Sequence, residues 1–284
     1  MKILEVVTDP AAAAVLKAVP AVSTWDDHDF GFNDSTAESG SMDSEQRAHA
    51  AEVFRMLWPN LYDRAGADDS IENSFRWGNV HVFVPDGRFN RKAGGNAQVL
   101  GDEQARALLE KMNESDAKVK ILVSATQVIP DRGRFESFVH DAPEERSSLL
   151  DGFDDGPPGL LEIDGRILIL SGDIHSSELC AYGGAEGSPA LIELTSSPLL
   201  VKTSADKVLV PADDDDGRRI WSVYGEGYAR VSITFSPEGE PTIRVECRES
   251  TGGAAEPYAD GGGSGVDWTL ARAVWGPSGS LTET

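Results

Sequence analysis

The chain has 284 residues, with 25 Lys and Arg against 48 Asp and Glu, a formal net charge of −23. That length supports one large domain or two small ones around a substantial core, and the charge argues against nucleic acid or an anionic membrane as a partner. No run approaches the roughly 20 apolar residues that span a bilayer; the longest are strand-sized, such as Ile167-Leu168-Ile169-Leu170.

Residues 11–19 are alanine-rich and predict a short helix closed by Pro20, and residues 21–25 read as a buried strand. Ala51, Phe54, Leu57 and Trp58 recur at helical spacing, which predicts a helix over 44–61 that ends near Pro59. Residues 74–84 read as two strands joined at Trp77-Gly78-Asn79. Asp102 is placed to cap a helix whose Ala105, Leu108, Leu109 and Met112 share one apolar face. A strand follows at 119–123, and 160–169 predict a hairpin turning at Asp164-Gly165. Segments 190–195, 220–224, 229–235 and 242–247 make the second half strand-rich. Residues 252–265 are rich in glycine and acidic residues, the composition of a flexible linker. The expected organisation is one domain over 1–250, then a linker and short tail over 251–284. Strands with interspersed helices imply helices covering sheet faces, with chemistry gathered where strands end and loops begin.

Two acidic-histidine clusters occupy that position: Trp25-Asp26-Asp27-His28-Asp29 and Gly172-Asp173-Ile174-His175. Carboxylate oxygen and imidazole nitrogen are ligands for divalent and trivalent metal ions. Asp27 and His28 are adjacent, so they project differently and suit different tasks. Asp173 and His175 are two apart, so on an extended segment they point the same way and suit one site. Turn and cap residues explain either cluster alone; two clusters in matching strand-then-loop settings favour a metal. The run Asp213 to Gly217 is not an EF-hand, because Ala212 and Val223 fall where carboxylates belong. Ser176 and Ser177 lack the nucleophile elbow of a serine hydrolase. Cys180 and Cys247 define no disulfide framework, and Met1-Lys2 with Glu5 and Asp9 is not the pattern of a signal peptide.

The segment Trp25-Asp26-Asp27-His28-Asp29-Phe30-Gly31 followed by Asn33-Asp34 resembles the alkaline phosphatases of the D type, the PhoD-like branch of the calcineurin-like metallophosphoesterases. Other segments agree in order: Phe75-Arg76-Trp77-Gly78, Asp86-Gly87-Arg88, Gly101-Asp102-Glu103-Gln104, Ser124-Ala125-Thr126-Gln127, Ser171-Gly172-Asp173-Ile174-His175 and Ser196-Ser197-Pro198. The resemblance implies an α/β (α+β) two-sheet sandwich with flanking helices and a bimetal site at the strand ends. It implies hydrolysis of a small phosphomonoester or phosphodiester by a metal-activated hydroxide, with divalent or trivalent ions, iron and calcium in some relatives. Carried over, Asp27, Asp173 and His175 are metal ligands, and His28 is the proton donor to the leaving alkoxide. Arg76 and Arg88 reach phosphate or else form structural ion pairs. Gln127 faces the same region. Relatives are often exported.

The family carries further ligands ahead of this motif, yet 24 residues precede Trp25, fewer than the roughly 30 that one parallel crossover unit takes. The expectation is therefore an N-terminally incomplete domain. Such a domain is expected to bind metal weakly, to show little or no phosphatase activity, and to leave a sheet edge open to self-association. A non-catalytic remnant serving as a binding or structural module is the rival reading, and a single-calcium domain a third.

Overall fold

The computed structural model describes residues 8–37, 42–58, 70–130, 136–185, 188–197, 218–223, 227–249 and 269–283. Seven strands form the larger sheet: β1 (Asn73–Trp77), β2 (Val80–Val84), β3 (Val119–Val123), β4 (Arg166–Ser171), β5 (Ser177–Tyr182), β6 (Leu191–Thr195) and β7 (Arg218–Val223). Their spatial order is β1-β2-β3-β4-β6-β5-β7. The central strands β2, β3, β4 and β6 run parallel, while β1 and β5 are antiparallel to their neighbours, as is β7. A smaller antiparallel sheet, order β11-β10-β9-β8, holds β8 (Gly227–Phe235), β9 (Pro241–Glu249), β10 (Thr269–Trp275) and β11 (Leu281–Glu283).

The helices are α1 (Pro10–Ala18), α2 (Asp27–Phe30), α3 (Ser44–Leu57), α4 (Asp102–Glu114), α5 (Phe138–Asp141) and α6 (Pro143–Asp151). Strands covered on both faces read as near-continuous apolar runs, and side-chain alternation divides them between two cores. On one face Leu122, Ile167, Ile169 and Leu191 meet Ala105, Leu109 and Met112 of α4 and Leu149 and Leu150 of α6. On the other, Val119, Ile121, Leu168, Ile192 and Leu194 meet Ile243, Val245, Ala273 and Trp275 of the smaller sheet. The expected two-sheet sandwich with flanking helices is the observed architecture. Cys180 lies in the helix-side core and Cys247 between the sheets, so the two thiols are separated by the sheet and both are free.

Three expected elements differ. Residues 21–25 form no strand: Ala21 and Val22 are exposed, and Trp25 is buried in a small cluster with Phe30, Phe54 and Ile71. Residues 160–165 are turns rather than half a hairpin. Leu160 and Ile163 plug the helix-side core, and β4 takes β3 and β6 as its parallel partners. Residues 269–283, expected as a tail, are two strands of the smaller sheet, because Ala273 and Trp275 are core residues. The described part of the helix expected over 44–61 ends at Leu57, and Asp102 is its helix's first residue, with Gly101 as the cap. The acidic run at 213–217 and the glycine-rich stretch at 252–265 lie outside the described residues. No helix among the described residues is long and apolar enough to cross a membrane.

Candidate active site

The four parallel strands end on one side of the sheet, where Asp173 of the second cluster comes near enough to the first to feel Asp26 and Asp27. At the end of β2, Asp86 is fully buried. Its Oδ1 accepts from Trp25 Nε1 at 2.6 Å and from the Arg88 and Phe89 amides, and its Oδ2 accepts from Ile71 N. Gln104 of α4 braces the same residue, accepting from Asp86 N and donating to Asp86 O. Trp25 also packs edge-on against Phe30, with ring centroids 5.2 Å apart. The first cluster is thus fastened to the sheet by a tryptophan and a buried aspartate.

Asp27 shapes the loop that follows. Its Oδ1 accepts from His28 N at 2.7 Å and its Oδ2 from Asp34 N at 2.9 Å, which closes residues 27–34 into a turn. This brings Asp34 round to Asp27. Carboxylate oxygens of Asp27, Asp34 and Glu136 lie within 4.8 Å of one another. Arg88, 0% exposed, donates to both Asp26 and Glu136, and Arg91 to Glu136 at 2.8 Å and Asp141 at 2.9 Å. Burial works against the Arg88 charge, but Asp26 and Glu136 outweigh it and raise its pKa. A cleft of about 490 Å³ opens beside the carboxylates, with Thr36, Arg91, Lys92 and His140 on its walls.

The second cluster lies in the loop from β4 to β5. Ile174 N donates to Gly172 O at 2.9 Å across Asp173, whose φ is +67°. That is a γ-turn of the rare, strained hand. His175 has φ +56° and Asp34 φ +55°. These are the three non-glycine residues with positive φ among the described residues, and each is a potential ligand at the same end of the sheet. Such strain persists where the surroundings over-determine it, often at functional sites. Burial, then Asp26, Glu136 and Asp27, push the Asp173 carboxyl up to about 7, with Arg88 pulling the other way.

The expected ligand trio is therefore regrouped. Asp27 meets Asp34 and Glu136; Asp173 is near enough to feel these carboxylates, but neither it nor His175 belongs to the 4.8 Å group. His28 is at the rim, its side chain 67% exposed and Nε2 4.0 Å from Asp27 Oδ2. Arg88 is a buried strut rather than a surface for phosphate. Arg76 pairs with Asp116 and Gly78 O near the starting ends of the parallel strands, because β1 is antiparallel to β2 and Arg76 faces His81. Gln127 is buried and bonded to Glu178 and Thr195. Glu136 escaped sequence reading because its partners Arg88 and Arg91 lie more than 40 residues away; Asp34 stood in the first motif without a role.

Three carboxylates suit a hard cation. Asp26 and Glu136 pair with Arg88, and Glu136 also with Arg91, while Asp27 and Asp34 stand beside them. The residues present fit a metal ion. Asp27, Asp34 and Glu136 would hold it.

The solved structure of PhoD superposes on this chain with a TM-score of 0.67 at 18% identity, covering 97% of this chain and 57% of that one. The chain thus spans little more than half the length of that protein. A purple acid phosphatase, PPD1 from yellow lupin (Lupinus luteus) seeds, aligns at a TM-score of 0.42 and 14% identity over 67% of this chain and 32% of that one, too distant to carry an argument. No curated protein sequence matches. The family described as PhoD-like phosphatase matches residues 3–231. Matched over most of its length, and with the fold of PhoD, the chain belongs to the PhoD-like phosphatase family.

Proposed function

We propose that this site hydrolyses phosphate esters, monoesters or diesters, with the help of bound metal ions. The observation that carries this reading is the gathering of the Asp27, Asp34 and Glu136 carboxylates within 4.8 Å of one another, with Asp173 near enough to feel Asp27 and Glu136. A cation held there would supply polarisation of a phosphoryl oxygen and a lowered pKa for an attacking water. Asp27 keeps the loop closed through two amide hydrogen bonds while leaving lone pairs on both oxygens. Arg88 and Arg91 fix Glu136, so that its carboxylate is aimed before any ligand arrives. His28, exposed and with Nε2 4.0 Å from Asp27 Oδ2, is the proton donor to the leaving alkoxide in this reading. Asp173, near enough to feel Asp27 and Glu136, would supply a further ligand atom, and His175 two residues on another.

One observation favours a second reading, a binding or structural module without turnover. Asp27 and Glu136 already have partners within the chain, so the arrangement stands without an ion. Phosphate release from 4-nitrophenyl phosphate and bis(4-nitrophenyl) phosphate, measured with Mn²⁺, Ca²⁺ or Fe³⁺, separates the two. Hydrolysis that needs the ion and collapses in Asp27→Asn supports the enzyme. Absence of release with every ion supports the module. Unchanged turnover in His28→Ala removes His28 from the mechanism.

A further inference from the structure

Beneath the strained loop lies a layer of polar side chains that the chemistry above does not use. Glu178 and Glu193 are both 0% exposed, as are Gln127 and Thr195. Gln127 Nε2 donates to Glu178 Oε1 at 2.7 Å and to Thr195 Oγ1 at 2.8 Å. Ser171 Oγ donates to Glu193 Oε1 at 2.6 Å and lies 2.8 Å from Thr195 Oγ1. Glu193 in turn accepts from the Val128 and Ile129 amides. Glu178 Oε2 is 3.4 Å from Arg219 Nε.

The places of these residues in the fold are informative. Gln127 follows β3, Ser171 ends β4, Glu178 is the second residue of β5 and Thr195 ends β6. One layer thus ties four strand ends together. The loop at 172–176 leaves the sheet at Ser171 and re-enters it at Ser177, so both of its ends are clamped. Two backbone bonds complete the grip, Gly172 N to Ala125 O and Ser196 N to Ser171 O. Buried carboxylates are a poor device for stability alone, since apolar residues of like volume serve as well or better. Hydrogen bonds shared from Gln127 to Glu178 and Thr195, and from Ser171 to Glu193 and Thr195, restrict the geometry of the strand ends they join.

We propose that Gln127, Ser171, Glu178, Glu193 and Thr195 are positioning residues that hold Asp173 and His175 in their left-handed backbone conformations. The consequence for metal affinity rests on the function proposed above; the consequence for the loop does not.

Amide hydrogen exchange of the full chain tests the inference directly. Gln127→Met removes the donor shared by Glu178 and Thr195, and Ser171→Ala is a milder cut should the first variant fold poorly. Lys120→Met, a matched buried polar change facing the same side of β3 near its start, is the control, since Lys120 Nζ bonds Asp164 O. The expected result is at least a tenfold loss of protection at the Gly172 and Ile174 amides in both loop-side variants, with β9 and β10 unaffected and no such local loss in Lys120→Met. Mn²⁺ titration is expected to show at least tenfold weaker binding in the same two variants. Unchanged protection at Ile174, or a loss shared equally by every strand, overturns the positioning role. A wild-type chain that fails to bind Mn²⁺ overturns the metal centre instead, and the exchange data still decide the positioning.

Discussion

At the starting ends of β2, β3 and β4 cations and acids are interspersed, and at their finishing ends carboxylates predominate. Around the first, Lys118 pairs with Glu240, Lys120 donates to Asp164 O and Arg166 to Pro277 O, beside a cleft of about 780 Å³. His81 there is held below its ordinary pKa by burial and by Arg76, Lys120 and Lys111. At the finishing ends Asp173 is raised by burial and by Asp26, Glu136 and Asp27. Burial leads both shifts and acts on a base and an acid in opposite directions; what differs between the two ends is the neighbours, chiefly cations around His81 and chiefly carboxylates around Asp173. Backbone carbonyls and surface acids satisfy the starting end, whereas the finishing end retains negative charge that a cation would neutralise.

The strongest way to break this comparison is to remove the strut at the finishing end. Arg88→Ala leaves Asp26 and Glu136 facing each other without their shared partner. Breaking a buried pair in this way costs about 3–5 kcal/mol, measured by urea denaturation. A loss no larger than that of a surface pair would show that the carboxylates find water or an ion unaided.

A cation should act at one end only. At one hundred times its Kd, Mn²⁺ is expected to stabilise the folded chain by about 2.7 kcal/mol, read as a rise in Tm. The rise is expected to vanish in Asp27→Asn and in Glu136→Gln and to persist in Lys118→Ala. An equal rise in all of them would put the ion elsewhere.

A smaller effect sharpens the same contrast through pH. Burial raises the Glu145 and Glu193 carboxyls above their ordinary 4.5, against the pull of the amides that each accepts from. Such groups bind protons more tightly when folded, so their contribution is fully present below about pH 4.5 and is lost as pH rises through the raised values. With ions chelated, Tm is expected to climb by a few degrees as pH falls from about 8 to about 5. A Tm that falls over that window would mean that amide hydrogen bonding outweighs burial at these carboxyls.

The smallest effect is the most telling for substrate recognition. Arg76 and Asp116 form a surface pair at the starting end, with Asp116 82% exposed. Arg76→Ala is expected to leave both stability and phosphate release unchanged. A raised KM for 4-nitrophenyl phosphate in this variant would return Arg76 to the substrate.

Much of this was legible in the residues, and the reasons differ from place to place. The apolar runs of β3, β4 and β6 and the apolar face of α4 are local patterns, and they led to the layered fold. Residues 21–25 misled because a short apolar run looks the same whether it pairs as a strand or delivers one tryptophan into a cluster. Residues 269–283 were passed over because their strand character depends on β9 being beside them. Arg88 resembled a phosphate ligand because nothing local announces Asp26 and Glu136 on either side of it.

The sequence by itself determined the class of fold and the place of the second acidic-histidine cluster after β4, since each follows from residues close together in the chain. Tertiary structure alone decided which side chains share the site. Glu136 joins Asp27 and Asp34, Arg88 is sealed inside, and Asp173 and His175 take strained conformations over a buried polar layer. The physical reason is that hydrogen bonding, desolvation and charge act through distances of a few ångströms, and dozens of residues separate these partners along the chain.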